Sequence, residues 1–293
     1  MVKDRLNIFS ANDTRWHTNE LRDRLITQHK EYSELGLDHP LYPETDDSFY
    51  SQWLHHRLTI LSIIPEECRK AATKVIDIGG GKGRLSALLS ELGLYCTDID
   101  CLFMERDIQS VSGEYLIPKV ESYLSSKGVT VIAHDFYSNG IPLPDNEFNL
   151  AILSEVIEHL PNSPKPLLSE LRRILIPGGW LVLTTPNQVS IRNRINFLRG
   201  LSYREPIQTF FKMEGYPLGT VYRGHTREYT MSEIEYMLAE EGFQIAKAIT
   251  CNYGPKVGKM RLVASVCKRL FDDMDDFIIV LARKHTGLNN MQL

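Results

Sequence analysis

The chain has 293 residues, 43% of them hydrophobic and 24% charged, a balance that supports one large core and excludes a disordered or low-complexity protein. Lys and Arg total 33 against 37 Asp and Glu, a net charge of −4, so no global positive field recommends nucleic acid as a partner. The five cysteines (Cys68, Cys96, Cys101, Cys251, Cys267) form no CxxC pair, the first residues hold no apolar signal core and no run is long enough to span a bilayer, which together point to a cytoplasmic protein with reduced thiols and without an integral membrane segment.

Residues 1–70 read as a helical extension. Leu21, Leu25, Tyr32 and Leu35 recur at helical spacing through Thr18–Leu35, and Trp53, Leu54, Leu58, Leu61 and Ile64 do so through Phe49–Ile64. The Pro- and Asp-rich stretch His39–Asp47 connects them. The second helix is expected to pack on the sheet; the first fits either packing or a substrate lid.

From residue 74 the pattern becomes strand, helix, strand. Strand 1 is expected at Lys74–Ile78, a helix at Arg84–Gly93, strand 2 at Leu94–Ile99, two short helices within Leu102–Ser126, strand 3 at Val129–Ala133 and strand 4 at Phe148–Ser154. A helix over Lys165–Leu175 should stop at a Pro177-Gly178-Gly179 turn, with strand 5 at Trp180–Thr185. Residues 188–228 interrupt the alternation with Arg and aromatic side chains, and Ile191, Ile195 and Leu198 predict a helix there whose apolar side covers the site. A helix at Met231–Glu241, strand 6 at Phe243–Thr250 and a last strand at Asp276–Ala282 complete the chain. The order predicts an α/β fold: a doubly wound, Rossmann-like, seven-stranded mostly parallel sheet with N-terminal helices and a helical insertion after strand 5. The domain division is 1–70 for the extension and 71–293 for the main domain, with 188–228 as the substrate-side insertion.

The most informative stretch is Val75–Ser86, VIDIGGGKGRLS, a buried strand, a glycine-rich turn and a helix start. A dinucleotide turn wants G-x-G-x-x-G, but the third glycine position falls on Arg84 when counted from Gly79 and on Ser86 when counted from Gly81. Asp77 would repel a pyrophosphate and attract a cationic ligand. Asp100, about twenty residues beyond the glycines, can accept ribose hydroxyls. Its neighbour Asp98 is expected to face the other side of the strand. Asp135 and Phe136 after strand 3 suit an adenine amino group and the face of its ring, and Ser154 ends strand 4 beside them.

D-x-G-x-G-x-G at residues 77–83 resembles the first motif of the class I S-adenosylmethionine-dependent methyltransferases, whose cofactor carries an ammonium and a sulfonium. The resemblance covers residues 75–187, through HDF at 134–136, SEVIEHL at 154–160 and PGGWLVLTTPN at 177–187, and returns at GHTREYT, residues 224–230. It is most similar to the group containing the ubiquinone-biosynthesis O-methyltransferases and the methyltransferases that accompany glycan assembly enzymes. One departure is Asn149, where such families often carry an acid. The resemblance implies S-adenosylmethionine as cofactor, held by Asp77, Gly79, Gly81, Gly83, Asp100, Asp135, Phe136 and Ser154. It also implies methyl transfer to a hydroxyl of a small molecule, a glycan or a lipid-linked or quinone-like acceptor.

Such an acceptor needs a base or a metal. If a helical turn follows strand 4, Glu155, Glu158 and His159 stand at i, i+3 and i+4 on one face, as a catalytic base with its orienting acids or as ligands to a divalent ion such as Mg²⁺ or Mn²⁺. E-x-x-E-H is also similar to the metal-binding motif of the small-RNA 3′-terminal 2′-O-methyltransferases, which a later histidine completes; His225 falls in that place. The alternatives are therefore a metal-dependent RNA ribose 2′-O-methyltransferase, disfavoured by the net charge, and a non-catalytic S-adenosylmethionine-binding protein. Arg192, Arg194, Arg199 and Arg204, with Phe197, Tyr203 and Phe210, fit either a phosphate clamp or a solvated helix face.

Overall fold

The computed structural model describes residues 16–37, 47–101, 116–202, 204, 207, 211, 224–252 and 274–286. The first helix expected within Leu102–Ser126, the connector at residues 39–46, Tyr203, Phe210, Cys267 and residues 1–15 lie outside them.

Seven strands form one sheet: β1 (Lys74–Ile78), β2 (Tyr95–Asp100), β3 (Thr130–Ala133), β4 (Phe148–Ser154), β5 (Leu175–Pro186), β6 (Phe243–Cys251) and β7 (Phe277–Lys284). Their order is β3-β2-β1-β4-β5-β7-β6, with β1 to β5 parallel and β7 antiparallel to both its neighbours. Among the described residues the α-helices are α1 (Thr18–Glu34), α2 (Asp47–Ile63), α3 (Arg84–Glu91), α4 (Leu116–Ser126), α5 (Lys165–Ile174), α6 (Ile191–Leu198) and α7 (Met231–Glu240). The expected Rossmann-like sheet with N-terminal helices and a helix after strand 5 is what the chain adopts. None of these helices is long and apolar enough to cross a membrane.

Strand alternation explains the two layers. Val75, Leu150, Ile152, Val182, Phe277 and Ile279 pack with Leu21, Leu25 and Tyr32 of α1, Ile60 and Leu61 of α2, Leu88 of α3 and Val120 of α4. Ile76, Ile78, Ala151, Leu153, Leu183, Ile278 and Val280 face the opposite way, against Leu168 and Leu171 of α5 and Ile234 and Leu238 of α7. The strand order reverses on either side of β1, which opens a crevice beyond the carboxyl ends of β1 and β4.

Three expectations need correction. Pro177-Gly178-Gly179 does not precede strand 5 but lies inside it. The register jumps from Phe148↔Leu175 to Leu150↔Trp180, so the segment bulges out of the ladder, and the Gly178 carbonyl accepts a 3.0 Å bond from Arg283 Nε. The stretch after β4 forms only a three-residue 3₁₀ turn, Ile157–His159, because Glu155 takes φ +57° and breaks the helical path. In α6 the buried residues are Ile191 and Asn193, while Leu198 is 89% exposed, so the expected apolar side is packed only over its first turn. Asn149 has a local role: its Oδ1 accepts the Lys74 N–H at 2.9 Å and ties the start of β4 to β1.

Candidate active site

The glycine turn is fixed by the strands beneath it. Gly79 N–H donates to the Ile99 carbonyl at 2.8 Å, Gly81 N–H to Asp100 Oδ2 at 2.7 Å and Gly83 N–H to the Gly80 carbonyl at 3.0 Å. Gly79, Gly81 and Gly83 have φ of +70°, +61° and +68°, left-handed values that only glycine adopts cheaply. A Cβ on Gly79 would stand 2.6 Å from Val156 Cγ2 and one on Gly83 2.6 Å from Leu124, whereas one on Gly81 would meet nothing within 4 Å. Gly81 is where the turn faces open space.

Three acids lie behind the turn. Asp77 accepts the Ser86 hydroxyl at 3.0 Å, and burial pushes its carboxyl up to about 7, with Asp100 adding to the rise. Asp98 pairs in register with Asp77 and packs against Gly80 and Gly83, so the expectation that it faces away is wrong: residues two apart on a strand share a face, and Asp98 and Asp100 both point at the turn. Both Asp98 oxygens are buried without a hydrogen-bond partner. Burial first, then Asp77 and Asp100, raise its carboxyl well above the ordinary range. Phe136 is buried beside Gly79. Asp135 Oδ1 accepts the Tyr137 and Ser138 amides at 3.1 Å each; burial would raise this carboxyl, but those bonds and His134 outweigh it and hold it low.

The second half of the site forms where β4 and β5 end. Ser154 and Thr184 hydroxyls pair at 2.9 Å, and Thr184 Oγ1 donates to Glu155 Oε1 at 2.8 Å. Thr185 Oγ1 donates to Glu158 Oε2 at 3.1 Å, leaving the buried Glu158 Oε1 without a hydrogen bond. Burial raises Glu155 to about 8, and burial together with Glu155 raises Glu158 well above its ordinary value. His56 of α2 is buried, with Nε2 3.6 Å from Glu155 Oε1, and burial lowers its ring to about 3.

A strap at residues 224–230 closes over this end. The Glu158 carbonyl accepts the Thr226 and Arg227 amides, the Gln188 amide donates to the Tyr229 carbonyl and Asn187 bridges Tyr229. His225 thereby meets His159 edge to face, with ring centroids 5.0 Å apart. Its Nδ1–H donates to Glu228 Oε1 at 3.0 Å, and Asn193 Nδ2 donates to Glu228 Oε2 at 3.3 Å. Burial would lower the His225 imidazole, but Glu228 and Glu158 outweigh it and raise it above its ordinary value. One ligand atom from each of Glu158, His159 and His225 lies within 4.8 Å of the others. Glu155 is not in that group; it is the nearby acid held by Thr184.

Of the arginines, Arg192, Arg194, Arg199 and Arg204 are exposed. Arg194 bonds the Val189 carbonyl and Arg204 the Thr226 carbonyl. Sequence reasoning missed Thr184 and Thr185, although two hydroxyls at the end of an otherwise apolar strand are a signal. It also missed Glu228, whose i, i+3 spacing from His225 was legible, and His56, for which no local signal existed.

Residues 47–248 match the family described as a methyltransferase domain. A Mycolicibacterium smegmatis protein named as a probable S-adenosylmethionine-dependent methyltransferase is 24% identical over 208 residues, 71% of this chain; the chain spans 65% of that relative's length. The ubiquinone biosynthesis O-methyltransferase of Psychrobacter arcticus is 26% identical over 202 residues, covering 67% of this chain and 68% of its own. In fold, the crystal structure of an S-adenosylmethionine-dependent methyltransferase from Mesorhizobium loti superimposes with a TM-score of 0.51 at 18% identity, over 80% of this chain and 98% of that one.

Proposed function

This chain belongs to the methyltransferase-domain family, and from that premise we propose that it transfers a methyl group from S-adenosylmethionine to a hydroxyl of a small-molecule, glycan or lipid-linked acceptor. In this reading residues 71–293 are the catalytic domain, residues 1–70 a helical extension and residues 188–228 the substrate-side insertion. S-adenosylmethionine, when bound, supplies a methyl group on a positively charged sulfur.

The residues at the glycine turn fit such a donor. The space before Gly81 is open, and the buried Asp98 oxygens behind the turn lack hydrogen bonds. A cation nearby would favour the ionised forms of Asp77 and Asp98, which burial alone disfavours. Asp77, Gly79, Gly81, Gly83, Asp100, Asp135, Phe136 and Ser154 are the proposed donor set, with Asp100 as ribose acceptor.

The single observation that carries an oxygen acceptor is the cluster of Glu158, His159 and His225 at the end of β4. His159 is 40% exposed at its side chain with Nε2 3.8 Å from Glu158 Oε1, so it is placed to take the acceptor proton while Glu158 orients it; Glu155, held by Thr184, is the supporting acid. Calorimetry with S-adenosylmethionine on the parent, Gly81→Arg and Asp100→Ala proteins tests the donor site. Unchanged affinity in both variants would sink this placement.

A second reading, RNA ribose 2′-O-methylation on a divalent ion such as Mg²⁺ or Mn²⁺, draws on the orphaned Glu158 Oε1 within the same cluster. Glu158, His159 and His225 would hold the ion, with Glu228 fixing the His225 ring through Nδ1 and Glu155 close by. The ion would supply a Lewis acid to the ribose hydroxyl. Manganese titration of the parent and His225→Ala proteins separates the two, since the first reading needs no metal affinity.

A further inference from the structure

We infer that α1, which lies outside the family match, is part of the donor site: Gln28 and Tyr32 are positioning residues that hold the glycine turn in its binding shape. The inference rests on the proposed donor site and deepens it.

The observation is a pair of bonds from one helix to two carbonyls, one in the turn and one on the first residue of α3. Tyr32 Oη donates to the Lys82 carbonyl at 2.8 Å, and Gln28 Nε2 donates to the Arg84 carbonyl at 2.8 Å. Gln28 and Tyr32 stand four residues apart, so they share one face of α1 and reach two points of the turn together. Both are buried, Tyr32 completely. The Arg84 guanidinium lies 3.9 Å over the Tyr32 ring, and Tyr123 of α4 meets that ring edge-on at 4.8 Å, which fixes where the phenol can point.

The peptide joining Lys82 to Gly83 is held at both ends, its carbonyl by Tyr32 and its N–H by the Gly80 carbonyl. It separates the open residue Gly81 from the start of α3. Glycines at φ +61° and +68° on either side give this peptide more freedom than any other backbone would, so without α1 the turn would sample other conformations. A donor would then bind only the competent fraction, and its apparent affinity would fall by that fraction. A helix that served merely as core would use apolar contacts alone; these two buried side chains instead place hydrogen bonds on the turn and on the first residue of α3.

The test uses the full-length chain and four proteins: parent, Tyr32→Phe, Gln28→Met and Tyr123→Phe. The last removes a hydroxyl from the same α1–α4 cluster, where it donates to Glu31 Oε2 at 2.8 Å, without touching the turn. Hydrogen exchange of residues 79–86 in ligand-free protein should be faster in the Tyr32→Phe and Gln28→Met proteins and unchanged in Tyr123→Phe. Calorimetry with S-adenosylmethionine should show affinity weakened roughly fivefold in the first two and not in the third. Unchanged exchange in both α1 variants, an equal effect of Tyr123→Phe, or unchanged donor affinity in both overturns the inference. Should Tyr32→Phe not fold, Gln28→Met decides. If the parent itself binds no S-adenosylmethionine, the proposed function fails, and the exchange comparison alone decides whether α1 holds the turn.

Discussion

His225 and Glu228 face each other across 3.0 Å on a strap whose own backbone is pinned to Glu158. Three residues apart and outside any helix, they form an ion pair that brings an imidazole to His159. The pair sets the charge of the acceptor end, because burial works against the imidazolium and Glu228 is the strongest group favouring it.

Replacing Glu228 with Gln should therefore lower the His225 pKa, seen as a midpoint moved to lower pH in a proton NMR titration of its ring. A histidine raised in the folded state contributes stability below its ordinary value, near 6.5, and loses it as pH rises through the folded value. The difference in melting temperature between parent and Glu228→Gln should thus be largest below pH 6 and shrink toward pH 8. Turnover should fall roughly tenfold or more as His225 loses its fixed place.

The glycine turn offers a steric contrast. Gly79→Ala and Gly81→Ala both put a Cβ on a left-handed backbone, a cost of about 1 kcal/mol each. Only the Gly79 methyl collides, with Val156 2.6 Å away, while the Gly81 methyl enters open space. Gly79→Ala should lose about 2–4 kcal/mol in urea unfolding, adding overpacking to the backbone term. Gly81→Ala should lose only the backbone term, yet bind the donor more weakly, because its methyl occupies the space that the donor needs.

Asp98→Asn should stabilise the protein, and increasingly so with pH. A carboxyl whose folded pKa is raised opposes folding once pH exceeds its unfolded value near 3.9, with the cost growing until the folded value is reached. The amide cannot ionise, so it removes that cost. Melting temperatures of parent and variant should converge near pH 4 and separate progressively up to pH 8. A constant gap across that range would show that Asp98 is not the group that titrates.

Thr230 caps α7 and ends the strap. Its hydroxyl accepts the Glu233 N–H at 3.3 Å, while Glu233 Oε2 accepts the Thr230 N–H at 2.9 Å, a reciprocal capping box. Thr230→Ala should cost about 1 kcal/mol. Burial would raise Glu233, but the Thr230 and Arg227 bonds outweigh it and hold it low. The carboxylate's contribution is therefore present above the ordinary glutamate value and lost as pH falls through the folded one. Thr230→Ala should flatten the acid limb of the stability curve below about pH 4.5.

The strands that bear the site were legible because each carries an apolar run that begins or ends on a turn residue. Phe148–Ser154 and Lys74–Ile78 coincide with the expected spans, and the acid after strand 2 does meet the glycine turn. What local pattern could not carry was geometry decided by neighbours. The Pro177-Gly178-Gly179 segment has the composition of a helix-ending turn, yet pairing on both flanks draws it into β5 as a bulge. Glu155 has an ordinary place in a helical pattern, but the Thr184 carbonyl takes its N–H and its side chain meets the Thr184 hydroxyl, so the backbone turns left-handed instead. Leu198 continues a helical stripe on a helix too short to bury it. His56 enters the site only through tertiary packing, which no spacing within its segment specifies.

The proton acceptor separates the readings most sharply. His159 is half exposed at the mouth of the cluster, and Glu158 behind it is fully buried. His159→Ala should lower turnover roughly 10²–10⁴-fold, the range for loss of a positioned acid–base group, while leaving S-adenosylmethionine affinity at the parental value. Glu158→Gln keeps the shape and removes the charge, so it should lower turnover less than His159→Ala if Glu158 only orients the ring. Dialysis against a chelator discriminates further: turnover on a hydroxyl acceptor should survive it in the leading reading. Turnover that vanishes with the chelator and returns with Mn²⁺ would move Glu158, His159 and His225 from proton transfer to metal ligation. In that case the two histidine substitutions should cost metal affinity together with rate, and Glu228→Gln should weaken the ion's hold through the ring that it orients.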